Sequence, residues 1–324
     1  MFLFGILKRW PLMLMVLTWL SVTHAAEFPV KPLRLVVPFS AHGGAGMQAR
    51  QLAEPLSRLF SQQVLVQHWA GAGGVIASGD VARSPADGHT LLFTTTSLAI
   101  NAAWLGMQLP FSVVADFAPV SLVSSAPLAL AVHPAVPARS VPELVALARR
   151  GRPALKFGAN APGSLSHVAL AAFNRATGFI HEPAMFNGGG TPAKALGAGE
   201  IDALFIAAPV AAPLYSEGRI RLLAIASQEP LPLFAGVPVL QRFYPGLRFE
   251  NRYGLLAPVQ TPQAVILRLN AALRTVLADE KVRSFFGAHG LSPAGSTPDT
   301  FAAMLGKEVD FYSAQMRRGE LRLH

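Results

Sequence analysis

Five short segments of glycine, serine and threonine stand where apolar, β-rich runs give way to helical patterns. The first, FSAHGGAG, offers Phe39, Ser40, His42, Gly43 and Gly44, and the second is Gly71, Ala72, Gly73 and Gly74. The third contains Thr95, Thr96 and Ser97, the fourth Gly163, Ser164, Ser166 and His167, and the fifth Phe186, Asn187 and Gly188. At the start of a helix the backbone N–H groups lack intrahelical acceptors, and the helix dipole presents its positive end. Small residues let a ligand approach those groups, so such a turn can hold an anion without lysine or metal. One such segment alone reads as turn chemistry. Five at strand-to-helix junctions predict a cleft rimmed with amides and hydroxyls. One helix terminus contributes about 0.3–1 kcal/mol to an anion, up to ~2 when partly buried. Two or three converging, with their hydrogen bonds, support micromolar binding, about −8 kcal/mol.

Other chemistries fit less well. Gly44, Gly46 and Ala49 have the spacing of a dinucleotide loop, but that fold wants an acidic residue ending its second strand to hold the ribose. Gln67 and His68 stand there instead. Neither glycine loop continues into Gly-Lys-Ser/Thr, so a P-loop is excluded. Gly163-Ser164-Leu165-Ser166-His167 is not the Gly-x-Ser-x-Gly elbow of a hydrolase, and Ser166 is read as a helix cap. His181-Glu182-Pro183 cannot open a helical zinc pair, and the nine histidines show no ligand spacing. There are no cysteines, which removes disulfides, thiol nucleophiles and thiolate metal sites. No metal and no cofactor is expected.

The elements that must hold these segments alternate. Leu33 to Val37 reads as a buried strand, Met47 to Phe60 as an amphipathic helix and Val64 to Val66 as a second strand. A helix follows the second glycine loop as far as Ser84, then a third strand from His89 to Thr94. Strand, glycine loop and helix, repeated, predict a parallel sheet with its loops gathered at the strand C-terminal ends. Val120 to Val132 is extended and apolar without a helix period, fit to cross between lobes. Ser140, with Glu143 as capping box, opens a helix to Arg150. Further strands are expected at Leu155 to Ala159, Ala203 to Ala207 and Arg221 to Ala226, with a helix from Ser166 to Thr177. Beyond Pro258 the chain reads as helical over Pro262 to Leu277, Glu280 to Gly287 and Pro298 to Met316.

The expected fold class is therefore α/β, two lobes of parallel-rich sheet flanked by helices, the second inserted into the first. Residues 27–125 and 249–324 would form lobe 1 and 126–248 lobe 2, joined near Ser124 to Leu130 and Arg248 to Leu255. Residues 1–26 read as a secretory signal peptide: Lys8 and Arg9, an apolar stretch from Trp10, then small residues around Ala25 and Ala26. Export without cysteine suits a bacterial periplasm. The net charge of +9 would lose two units with Lys8 and Arg9. The basic residues are scattered, apart from pairs such as Arg149-Arg150 and Arg317-Arg318. No nucleic-acid partner is expected, because a binder of that kind clusters its charge with aromatics. The basicity favours anionic solutes mildly.

VKPLRLVVPFSAHGG, GAGGVIAS, PADGHTLLFTTTSLAIN, FAPVSLV, GSLSHVALAAFNRATG and YGLLAPVQTP occur in that order. This series resembles the extracytoplasmic solute receptors of the tripartite tricarboxylate transporter family, the Bug receptors. The resemblance implies a two-lobed periplasmic binding protein of type 2, a Venus flytrap. It implies capture of a small carboxylated solute and delivery to membrane permease subunits, without catalysis. The chain departs from the family pattern at Ala45 and Gly46, where Thr and Asp are usual, and at Val75, where Asn is common. Phe186-Asn187-Gly188 replaces Tyr-Lys-Gly, and Ile206 stands where Asp is frequent. The amide-bearing glycines survive, so the grip is expected to be mainly backbone. Arg252, in FENRYGLLAP, is expected to fork onto the carboxylate in place of the lost side chains. Two other readings stay open: a ligand sensor feeding a sensor kinase, and a periplasmic α/β hydrolase or isomerase with a titratable pair in its cleft.

Overall fold

The computed structural model describes residues 28–151, 154–178, 182–188 and 190–323. The expected signal peptide lies outside the described residues. The chain opens with β1 (Leu33–Val37), α1 (Gly44–Phe60), β2 (Val64–His68), α2 (Val75–Ala82), β3 (Thr90–Thr95) and α3 (Ser97–Leu105). β1 lies between β2 and β3, parallel to both. Helix α1 begins three residues before the expected start, because tertiary contacts override glycine's poor helix propensity. The buried Gln48 side chain donates to Gly44 O at 3.1 Å and accepts from Ser124 Oγ, which fastens this first turn to the sheet. Gly46 is needed there, since a Cβ would stand 2.6 Å from Ala41 O.

The chain continues with β4 (Phe117–Val132), which is shared with a second sheet, then α4 (Val141–Arg150), β5 (Phe157–Ala159), α5 (Leu165–Thr177), β6 (Ala184–Met185), α6 (Thr191–Ala198), β7 (Ala203–Ala207), α7 (Ala208–Ser216) and β8 (Arg221–Ile225). Strand β9 (Glu250–Pro258), α8 (Gln263–Ala278), α9 (Glu280–Ala288), β10 (Ser292–Pro293) and α10 (Pro298–Arg317) follow. β5 is parallel to β6 and β7, which makes a second parallel triplet. Antiparallel pairs join the two triplets. β4 pairs antiparallel with β9 over Phe117–Pro127, with β7 over Leu128–Val132 and with β8 over Ala129–Val132. The direction follows from the path: β4 leaves the first sheet, and β9 returns to it alongside.

The apolar run of β4 is explained by burial on both faces. Val120, Val123, Ala126 and Ala129 belong to one core layer, and Leu122, Leu128, Leu130 and Val132 to the other. Ser140 caps α4 as expected, while Glu143 turns back one residue further, accepting from Arg139 N at 2.8 Å. The cap of α5 is Ser164, not Ser166. The backbone turns into the helix one residue earlier than expected, so Ser164 Oγ is the oxygen that reaches His167 N, at 3.3 Å. Among the described residues, no helix is long and apolar enough to cross a membrane.

Candidate ligand-binding cleft

A cleft of about 690 Å³ lies among the loops that leave the two sheets. Gly43, Gly44 and Ala45 supply one wall. Gly43 is the N-cap of α1, extended at φ −85°, and no side chain caps the helix. The N–H groups of Gly44, Ala45 and Gly46 precede Met47, whose N–H donates to Gly43 O at 3.0 Å. These first-turn amides are orphan donors. Glycine at 44 is required by a close approach, since a Cβ would lie 2.6 Å from Tyr253 Oη and 3.2 Å from Pro209 Cγ.

Three more helices start at the cleft. Thr95 and Ser97 line it at the head of α3, where Ser97 N donates to Thr95 Oγ1 at 3.3 Å. Asn160, Ala161, Ser164, Leu165 and Ser166 line it at the head of α5. There Ser164 Oγ donates to Ala161 O at 2.7 Å, and Asn160 N donates to Ser166 Oγ at 2.9 Å. Ala207 and Val210 line it at the head of α7, which has no side-chain cap. Phe39, Gly73, Gly188 and Ala193 complete the rim. Leu128 of β4, with Leu204 and Ile206 of β7, forms an apolar wall. Leu204 and Ile206 share it because alternate strand residues face one way.

Strand β9 contributes Asn251 and Tyr253. Tyr253 is 1% exposed, and burial pushes its hydroxyl far above the ordinary value against a hydrogen bond from Asn251. The hydroxyl therefore stays protonated, a permanent donor. Asn251 Oδ1 is buried without a partner. No lining side chain carries a formal charge. Among the described residues, no three histidines or acids are grouped closely enough to hold a metal.

The profile of the tripartite tricarboxylate transporter family receptor matches residues 48–314. This chain belongs to that receptor family. It is 31% identical over 302 residues to protein BugT of Bordetella pertussis, which covers 92% of each chain. A Rhodopseudomonas palustris protein solved with adipate is 26% identical, with a TM-score of 0.86 over 91% of this chain and 99% of that one. MatC from Rhodopseudomonas palustris, solved with malate, is 27% identical, with a TM-score of 0.84 over 89% and 99%.

In this receptor the five segments do not contribute equally. Phe39, Gly43, Gly44, Gly73, Thr95, Ser97, Ser164, Ser166 and Gly188 line the cleft. Ser40 stays behind it, its hydroxyl buried without a partner. His42 is exposed and packs on Gly190, where a Cβ would lie 2.8 Å from the His42 Cβ. Gly71 and Ala72 lie outside, and Gly74 and Val75 face a small separate pocket beside Phe111. Thr96 turns away to accept from Arg252 N at 2.9 Å. Gly163 is buried against Asn101 and Trp104, and His167 sits buried in the first turn of α5. Phe186 packs toward Gly158, and Asn187 is exposed. His68 hydrogen-bonds Phe39 O at 3.3 Å, and burial holds its ring below the ordinary pKa, so it braces the first loop.

Arg252 is a correction. It projects from the face of β9 opposite Asn251 and Tyr253 and lies outside the cleft. Its guanidinium pairs with Glu308 of α10 and stands 3.5 Å from Glu250. Sequence reasoning chose the charged residue and missed its two neighbours. The period-2 rule applied to FENRYGLLAP separates them. It also missed Ala45, Leu128, Asn160, Ala161, Leu165, Ala193, Leu204, Ala207 and Val210. Most of these are apolar or backbone contributors with no chemical signature in a sequence.

Proposed function

We propose that this chain is a periplasmic solute-binding receptor that captures a small carboxylated solute and presents it to the membrane permease subunits of a tripartite transporter. The observation that carries the reading is the convergence of four helix N-termini, those of α1, α3, α5 and α7, on a cleft with no charged side chain. Each terminus adds a fixed partial positive charge, and the uncapped first turn of α1 adds unpaired donors, which suits a carboxylate. The adipate and malate seen in two relatives support it. The cleft holds no titratable acid–base pair, so the hydrolase or isomerase reading lacks what it requires.

The lobes of this reading are residues 27–125 with 249–324, and 126–248. The division is supported by β4 and β9, which carry the chain between the two parallel triplets. Residues 1–26 act as the export signal, with cleavage near Ala25 or Ala26. A thermal-shift screen of mono-, di- and tricarboxylates tests the function. A specific ligand at 100 times its Kd adds about 2.7 kcal/mol of stability. A carboxylate-specific rise in Tm is expected. No rise with any carboxylate would overturn the reading.

A further inference from the structure

We propose that the groove between α10 and the start of β9 is a second ligand site, separate from the cleft. It takes an amphipathic organic anion, a carboxylate or sulfonate head on an aromatic or alkyl body. The groove is open, with a volume of about 1300 Å³. It lies on the opposite face of β9 from the cleft, because alternate strand residues point opposite ways: Arg252 lines the groove, Asn251 and Tyr253 the cleft. Met304, Lys307 and Phe311 follow one another at helical spacing, so one stripe of α10 forms the other side.

The apolar surface calls for a body to cover it. Phe311 is 55% exposed, and its ring stands edge-on to Tyr312 with 5.2 Å between centroids. Met304, half-buried, lies two turns away on the same stripe. An alkyl or aromatic body laid along these side chains gains by leaving water. The charges select the head. Arg248, Arg252 and Lys307 line the groove against Glu250 and Glu308. Both acids are occupied within the protein: Glu308 pairs with Arg252, and Glu250 Oε1 accepts from Ser125 Oγ at 2.8 Å. Side-chain exposure is 12% for Glu308 and 29% for Glu250 but 46% for Arg248. Lys307 is exposed and makes no ion pair among the described residues. The groove thus turns its cations outward beside Phe311, which favours an anionic head through charge-assisted hydrogen bonds and repels a cationic one.

The test is a fluorescence titration of the receptor with anilinonaphthalene sulfonate, an aromatic anion that brightens on leaving water, beside the uncharged phenylnaphthylamine. Saturable binding of the sulfonate is expected, at least about tenfold tighter than that of the amine. Phe311→Ser and Lys307→Glu change exposed positions, so their melting curves should match wild type. Each should weaken the sulfonate at least about tenfold, the first by removing apolar contact and the second by reversing the charge at the head. Gly43→Asp alters the cleft and should leave the titration unchanged. Loss in Gly43→Asp with none in the two groove variants would put the probe in the cleft and overturn the site. Equal affinity for the amine, or loss in only one of the two groove variants, would overturn the ligand class, since the proposal needs head and body together. No saturable binding overturns it outright.

Discussion

Glu308 is largely buried on α10, and its carboxylate meets the guanidinium of Arg252. Burial lifts its pKa above the ordinary carboxylate value, and Arg252 opposes that shift. Because the folded pKa is raised, this group's stabilising share is complete below its unfolded value and is lost as pH rises through the folded one. Removing the cation in Arg252→Ala leaves a buried carboxylate unpaired at pH 7, at a cost of about 3 kcal/mol. Near pH 4 or below, Glu308 takes up its proton and that cost shrinks. Thermal unfolding at both pH values checks this, and an equal loss at both would refute it. Solute affinity should be unchanged, since Arg252 lies outside the cleft. Tyr253→Phe should behave in the opposite way. It removes a protonated donor beside the α1 amides, and a hydrogen bond to a charged group contributes about 1.5–3 kcal/mol. Calorimetry should show affinity lowered tenfold or more, and wild-type affinity would remove Tyr253 from the grip.

At the scale of elements, the start of α1 is the unusual feature. A helix of 17 residues begins at Gly44, and its N-cap, Gly43, brings no side-chain cap although the first turn is buried. Aspartate fits the extended φ of Gly43 and would bring its own acceptor to the orphan amides. Gly43→Asp should therefore stabilise the empty protein by up to about 1 kcal/mol while competing with the solute for the same donors. Calorimetry and a melting curve would read the two effects with opposite sign. Retained affinity would place the solute elsewhere. The same helix shows where a sequence is mute. β1, α4 and α10 were legible because apolar periodicity and capping residues mark them. The first turn of α1 was not, because glycine argues against helix, and Ser124 and Tyr253, distant in sequence, help hold it together with Gln48. The glycine loops announced the donors of the cleft. Its apolar wall did not announce itself, since Leu204 and Ile206 read as ordinary core residues.

At the scale of the molecule, the two sides of the cleft are in contact. Gly163, at the turn before α5, lies against Asn101 of α3, and Asn101 Nδ2 donates to Gly73 O at 3.0 Å. Gly44 meets Pro209, and Gly190 meets His42. The Gly163–Asn101, Gly44–Pro209 and Gly190–His42 contacts each join a segment beside the first parallel triplet to one beside the second, as in a closed flytrap. Closure and binding are then one equilibrium, because donors from both sides reach the solute together only when the loops meet. Gly163 has φ +71°, and a Cβ there would stand 2.0 Å from Asn101 Oδ1. Gly163→Ala should thus hold the sides apart, and apparent affinity falls in proportion to the population of the closed form. Small-angle scattering should show wild type contracting with saturating solute and Gly163→Ala failing to contract. Asn101→Ala in the same chain removes the obstructing amide and should restore part of both the contraction and the affinity. This rescue separates a steric block from simple strain at a left-handed residue. If Gly163→Ala contracts and binds like wild type, the Asn101 contact is not part of closure.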